Sequence, residues 1–149
     1  MVKSGRVPGP RPLATVAAIA AGGALGAPAR YELGLAWPTS ADGFPWATFV
    51  TNVSGCLLLG LLLVLVLERW PPTRYLRPFA ATGFIGAYTT WSTFVVEMAV
   101  LTKDGHAGTA AIYGALSLAA GLMATVAGMR LARLGRSGGP ADELIDPDV

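Results

Sequence analysis

Charge, cysteine and histidine are scarce in this sequence. It holds one cysteine, Cys56, and one histidine, His106. A single cysteine excludes an internal disulfide and a cysteine metal site. The apolar segments contain no serine–histidine–acid set and no paired carboxylates, so the sequence predicts no enzyme. Charged residues make up 13% of the 149 positions and hydrophobic residues 53%, whereas soluble domains are about 25% charged. This composition predicts a membrane protein.

Four long runs hold no charged residue, namely 13–29, 44–67, 80–96 and 107–129. A helix that crosses a bilayer needs roughly 20 mainly apolar residues. We therefore predict an all-α membrane protein with a four-helix transmembrane domain over residues 13–134. The predicted helices are 13–36, 46–69, 78–101 and 109–134. We expect disorder in the basic N-terminus, residues 1–12, and in the acidic tail, residues 135–149.

Basic residues flank these helices unevenly. If the N-terminus is cytoplasmic, nine of them lie on the cytoplasmic side and two on the other. The nine are Lys3, Arg6, Arg11, Arg69, Arg74, Arg77, Arg130, Arg133 and Arg136, and the two are Arg30 and Lys103. Cytoplasmic loops are enriched in lysine and arginine. We predict a multi-pass protein of the plasma membrane with both termini in the cytoplasm, whose basic residues flank lipid rather than bind nucleic acid.

The third apolar segment is rich in small and polar residues. Residues 83–97 read Gly-Phe-Ile-Gly-Ala-Tyr-Thr-Thr-Trp-Ser-Thr-Phe-Val-Val-Glu. Lipid offers no hydrogen bonds, so polar side chains at this depth face protein or a water-filled path. Glycine, threonine and serine also allow a membrane helix to unwind and expose its backbone to an ion. The segment therefore points towards ion handling.

Polar pairs four residues apart mark one face of the second helix and one of the fourth. They are Thr48 with Asn52, and Tyr113 with Ser117. Two interpretations stay open for them. They form hydrogen bonds that join helices, or they line a pore with donors.

Trp91 and Phe94 share a face of the third helix, with Ser92 and Thr93 between them. Such a pair is packed core, or it presents the positive edges of its rings to an anion. A binding site of this kind is weak enough to release the ion, as conduction requires. Arg30 either attracts anions to an aqueous mouth or extends to the membrane surface.

Three blocks together resemble the Fluc (CrcB) family of microbial fluoride channels. They are residues 22–31, residues 48–55, and residues 83–94 with Glu97. The resemblance implies an antiparallel dimer with two fluoride paths and a break in the third helix. It also implies a structural sodium ion, held by backbone carbonyls that map to Gly86 and Thr89.

The same resemblance assigns residues to the fluoride pathway. They are Asn52, Thr90, Trp91, Ser92, Thr93, Phe94, Tyr113 and Ser117, with Arg30 in the vestibule. Trp91 stands where the family usually has phenylalanine. This keeps an aromatic edge but changes its bulk and adds an N–H donor.

The resemblance predicts a fluoride-selective channel subunit that exports fluoride passively and so lowers its toxicity. Two alternatives are a small multidrug-type proton-coupled exporter and a non-conducting membrane assembly protein. The exporter needs a carboxylate deep in its first span, and residues 13–29 hold none. The charge bias predicts a single orientation, and hence a heterodimer with an oppositely oriented homologue.

Overall fold

A computed structural model describes residues 12–38, 43–69 and 75–134. The expected disorder at the two ends concerns residues outside these ranges, apart from Pro12. Pro12 itself begins the first helix.

The described residues form helices and short connections, without β-strands. The α-helices are α1 (Pro12–Ala36), α2 (Trp46–Val64), α3 (Gly86–Tyr88), α4 (Trp91–Lys103) and α5 (Ala107–Leu134), and π-helical segments cover Leu65–Arg69 and Pro78–Ile85. Four spans, Pro12–Ala36, Trp46–Val64, Pro78–Lys103 and Ala107–Leu134, are long and apolar enough to cross a membrane. The prediction of an all-helical protein with four membrane spans is confirmed.

The third span is broken at two threonines. Thr89, with φ −80° and ψ 160°, and Thr90, with φ −148° and ψ 123°, are extended between α3 and α4. The Thr90 hydroxyl accepts a hydrogen bond from the Thr93 N–H at 3.2 Å and so caps the start of α4. Gly86 keeps helical angles, φ −63° and ψ −32°. The expected break is confirmed, and it lies three residues after Gly86.

Glycines allow neighbouring backbones to approach closely. α1 packs along Pro78–Ile85, and α2 packs along α5. A Cβ atom at Gly26 would collide with the carbonyl oxygen of Phe84, and one at Gly128 with that of Leu57. Small residues at helix crossings are the usual means of close packing in membranes, where lipid is as apolar as the side chains.

The buried core joins α4 to α5. Phe94, Leu101, Ala110 and Tyr113 are buried together, and Phe44, Phe49 and Met98 pack against them. Many large apolar side chains point outward instead, such as Leu13, Leu122 and Leu134. Apolar side chains on the outer surface are expected of helices that meet lipid tails or a partner.

Candidate functional site

Asn52 of α2 pairs with the backbone of the break. Its Nδ2 donates to the Thr90 carbonyl oxygen at 2.9 Å, and its Oδ1 accepts from the Thr90 N–H at 2.8 Å. A side-chain amide carries a donor and an acceptor in the same arrangement as a peptide group. Asn52 therefore takes the place of the helical partners that Thr90 lacks.

Contacts on the preceding turn hold the same region against α2. The Tyr88 hydroxyl lies 2.8 Å from the Ser54 Oγ, and the Thr89 hydroxyl donates to the Ile85 carbonyl oxygen at 2.9 Å. Gly55 gives room to the Thr89 methyl group, because a Cβ atom at Gly55 would collide with it. The polar and small residues of 48–55 thus form a seat for the break.

Arg30 points inward from α1. Its Nη1 donates to the carbonyl oxygen of Thr89 at 3.4 Å, and its side chain is partly buried. Extension to the membrane surface, one of the two interpretations of the sequence, therefore does not describe its placement. The guanidinium lies beside the break and lines a cavity there.

The break frees a backbone carbonyl that suits a hard cation. In an unbroken helix the Gly86 carbonyl would accept from the Thr90 N–H, but that N–H donates to Asn52. Residues 12–38, 43–69 and 75–134 contain no group of three His, Cys, Asp or Glu side chains that could hold a metal. Carbonyls of unwound helices do coordinate sodium in membrane proteins. The Gly86 carbonyl oxygen is a ligand of the type that such an ion binds, whereas the Thr89 oxygen already receives the Arg30 guanidinium.

Two cavities meet at Thr90. One has a volume of about 420 Å³, and the other, of about 290 Å³, is lined mainly by polar residues. The larger is the aromatic cavity, with Asn52, Thr90, Trp91, Phe94 and Ser117 in its wall. The smaller is the arginine cavity, with Arg30, Thr48, Thr51, Thr90, Thr93 and Glu97 in its wall. Each has room for several waters, since one water occupies about 30 Å³ in the liquid.

The aromatic cavity presents one exposed ring and one buried ring. Trp91 is 69% exposed and Phe94 is 5% exposed, and their ring centroids are 5.2 Å apart. Ser117 lines the same wall. Its Oγ is buried and has no hydrogen-bond partner within the described part of the chain. A buried hydroxyl without a partner is costly, so this cavity holds a donor that a bound ion could use.

Glu97 lies between α2 and α5 at the arginine cavity. Its Oε1 accepts from the Thr48 hydroxyl at 2.8 Å, and its Oε2 accepts from the Tyr113 hydroxyl at 2.7 Å. Glu97 had no predicted role beyond its place in a motif. An acid within the apolar third span was the available signal, because such a group needs partners.

The structure separates the predicted pathway residues. Asn52, Thr90, Trp91, Phe94 and Ser117 share the aromatic cavity. Thr93 and Arg30 lie in the arginine cavity, and Ser92 is exposed at the start of α4. Tyr113 is fully buried under Phe94, with ring centroids 5.0 Å apart, and is in neither wall.

The sequence is similar to those of known proteins. Residues 17–129 match the profile of the family described as CrcB-like protein, Camphor Resistance (CrcB). The chain belongs to the CrcB family. It is 55% identical over 119 residues to a Streptomyces avermitilis protein named fluoride-specific ion channel FluC 3, a match covering 80% of this chain and 58% of that relative.

Two further CrcB relatives extend the comparison. FluC 2 of Streptomyces avermitilis is 46% identical over 103 residues, which are 69% of this chain and 65% of the relative. FluC 2 of Nocardia farcinica is 45% identical over 128 residues, which are 86% of this chain and 91% of the relative. The chain thus spans less than two thirds of the two Streptomyces relatives and nearly all of the Nocardia one. Both of these also carry the name fluoride-specific ion channel.

Proposed function

We propose that this chain is a subunit of a fluoride channel in the plasma membrane of a bacterium. The names of its CrcB relatives support this function. The observation that carries it is the aromatic cavity, where Trp91, Phe94, the Asn52 amide and the Ser117 hydroxyl meet beside a broken helix. These groups offer hydrogen-bond donors and ring edges to an anion, without a fixed cation in the same wall that would trap it.

Conduction would be passive, down the fluoride gradient and out of the cytoplasm. Arg30 attracts anions to the arginine cavity, which shares Thr90 with the aromatic cavity. Hydroxyl and amide donors replace part of the water around the ion. Because hydrogen bonds to a charged acceptor are about twice as strong as neutral ones, a small anion with high charge density gains most from them. This gain offsets the larger free-energy cost of removing water from fluoride.

An antiparallel dimer with a central sodium ion belongs to the same proposal. The outward-facing Trp91 and the large apolar surface leave room for a second subunit across the aromatic cavity. The freed Gly86 carbonyl and that of Thr89 would hold the ion. When bound, sodium supplies a fixed positive charge that draws unwound backbone oxygens together.

Liposomes that contain this chain alone test the channel directly. We expect release of trapped fluoride, followed with an ion-selective electrode, and at most slight release of chloride from matched liposomes. Release of neither ion from chain expressed alone, together with fluoride release after co-expression with a homologue, would support an obligate heterodimer. Failure of both preparations would contradict the proposed function.

Replacing Phe94 separates a channel from an assembly protein. Phe94→Leu keeps an apolar side chain in the core but removes the ring edge, so we expect fluoride release to fall at least tenfold with the dimer intact. The matched control is Val96→Leu on the same helix, since Val96 is 60% exposed on its outer surface. An assembly protein would show no flux in either variant and loss of the dimer in Phe94→Leu.

The proton-coupled exporter has less support. The only acid of α1 is Glu32, in the last two turns of the helix. Glu97 is held by Thr48 and Tyr113 rather than open to a substrate. An exporter of this kind would acidify or alkalinise the lumen during transport, which a pH-sensitive dye in the same liposomes would detect.

The heterodimer rests on charge placement. Arg30 lies beside the break instead of in a loop. Of the two basic residues on the side opposite the termini, Lys103 alone then counts towards the charge bias, which makes that bias stronger. Streptomyces avermitilis has at least two relatives, FluC 2 and FluC 3. One organism can therefore hold two homologues that could pair. We expect a C-terminal topology reporter to be active in the cytoplasm alone. Equal activity on both sides of the membrane would rule out the single orientation.

A further inference from the structure

We propose that Asn52 is a positioning residue that holds the third helix open from within a single subunit. The proposal rests on the channel function above, because the consequence of interest is where the ion-facing residues of α4 lie. Its carrying observation is the pair of hydrogen bonds, 2.9 Å and 2.8 Å, that join the Asn52 amide to both backbone groups of Thr90.

A break in a membrane helix leaves backbone groups without water to satisfy them. The extended Thr90 would have an N–H and a carbonyl in this state. One asparagine satisfies both, which a hydroxyl or a carboxylate cannot do equally well, because neither offers a donor and an acceptor in the planar spacing of an amide. The side chain therefore stabilises the extended conformation at this residue.

Contacts from α1, α2 and the third span itself surround the break. Arg30 of α1 donates to the Thr89 carbonyl oxygen, Gly55 of α2 receives the Thr89 methyl group, and the Thr90 hydroxyl caps α4. These contacts lie within one subunit and together hold the break in its extended conformation. In this arrangement the freed Gly86 carbonyl is a consequence of the Asn52 bond, since that bond removes its helical donor.

The two hydrogen bonds between Asn52 and Thr90, here called the clamp, also determine which donor Asn52 offers to the aromatic cavity. An amide nitrogen carries two hydrogens, and the bond to the Thr90 carbonyl uses one of them. Because the two bonds fix which side of the amide is nitrogen, the second hydrogen stays available to the cavity that Asn52 lines. Trp91 follows Thr90 directly, so the same clamp fixes where α4 and its aromatic pair begin.

Residue-resolved hydrogen–deuterium exchange tests the clamp without any flux measurement. In the wild-type protein in detergent, the Thr90 N–H should exchange slowly although it lies outside a helical ladder. In Asn52→Ala it should exchange at least tenfold faster. The matched control is Leu58→Ala on the same helix, whose side chain is 41% exposed and lines neither cavity; its Thr90 exchange should match the wild type.

Two outcomes would overturn the positioning role. One is slow Thr90 exchange in Asn52→Ala together with lost fluoride flux, which would make Asn52 an ion ligand only. The other, which needs no variant, is wild-type Thr90 exchange as fast as that of Gly105 in the α4–α5 turn. If Asn52→Ala does not fold, the comparison of Thr90 with Gly105 in the wild-type protein decides: slow exchange at Thr90 supports the positioning role and fast exchange contradicts it. Absence of flux from the wild-type protein, both alone and co-expressed with a homologue, would contradict the channel, whereas the exchange results would still test the positioning role.

Discussion

Gly26→Ala should sharply reduce the yield of folded protein, whereas Gly34→Ala on the same helix should be tolerated. A Cβ atom at Gly26 would collide with the Phe84 carbonyl oxygen and approach the Tyr88 N to 3.1 Å, while one at Gly34 would meet nothing within 4 Å. The obstacle is backbone of the third span, which cannot rotate away as a side chain can. Overpacking costs about 1–3 kcal/mol and occasionally more, and we expect this site at the upper end.

Monodisperse yield by size-exclusion chromatography and thermal unfolding in detergent measure this difference. A second pair repeats it on another helix contact. Gly128→Ala would bring a Cβ atom into the Leu57 carbonyl on α2, whereas Gly108→Ala, also on α5, would meet nothing within 4 Å. Equal yields and melting temperatures within either pair would show that the helices separate easily, and that close backbone packing contributes little to stability.

The membrane spans could be predicted from sequence because the signal is composition. Uncharged apolar runs of this length are typical of helices that cross a bilayer, and the predicted bounds differ from the structure by a few residues. The fourth helix, predicted from residue 109, begins at Ala107. The second, predicted to residue 69, is α-helical to Val64 and π-helical to Arg69.

The break illustrates what a resemblance adds and where it stops. It placed the break at Gly86 and Thr89, and the structure places the extended residues at Thr89 and Thr90. Composition alone marked the segment as able to unwind but gave no position. Which peptide unwinds depends on where a partner for its backbone is available, and here that partner is Asn52, 38 residues away along the chain.

The contacts of Asn52, Arg30 and Glu97 could not be read from spacing. Each contact depends on how far one helix is shifted along its axis relative to its neighbour. Helix periodicity gives only the face of its own helix on which a residue lies. The sequence left pore lining and helix bonding as alternatives for Thr48 and Asn52. Both residues bond to the third span, Thr48 through Glu97 and Asn52 through Thr90, and both also line a cavity. The two interpretations therefore describe the same residues.

Tyr113→Phe should destabilise the protein and lower its fluoride flux, because it removes a partner from a carboxylate at membrane depth. Tyr113 is fully buried, and its hydroxyl donates to Glu97 Oε2 at 2.7 Å. A hydrogen bond to a charged group contributes about 1.5–3 kcal/mol, and Tyr113→Phe removes this one. The ring itself is kept, so its packing against Phe94 and Phe44 changes little.

A double-mutant cycle identifies the carboxylate as the cause. In a Glu97→Gln background the acceptor is neutral, so Tyr113→Phe should cost less there than in the wild type, by about 1 kcal/mol or more. Tyr31→Phe is the matched control, since Tyr31 is 65% exposed on α1; it should leave the melting temperature and flux unchanged. An equal cost of Tyr113→Phe in both backgrounds would show that the hydroxyl acts on something other than Glu97.

Because Thr48 donates to the other carboxylate oxygen, Thr48→Val should show the same dependence on Glu97. The two hydroxyls would then be joint anchors of one buried acid that ties α2, α4 and α5 together beside the arginine cavity.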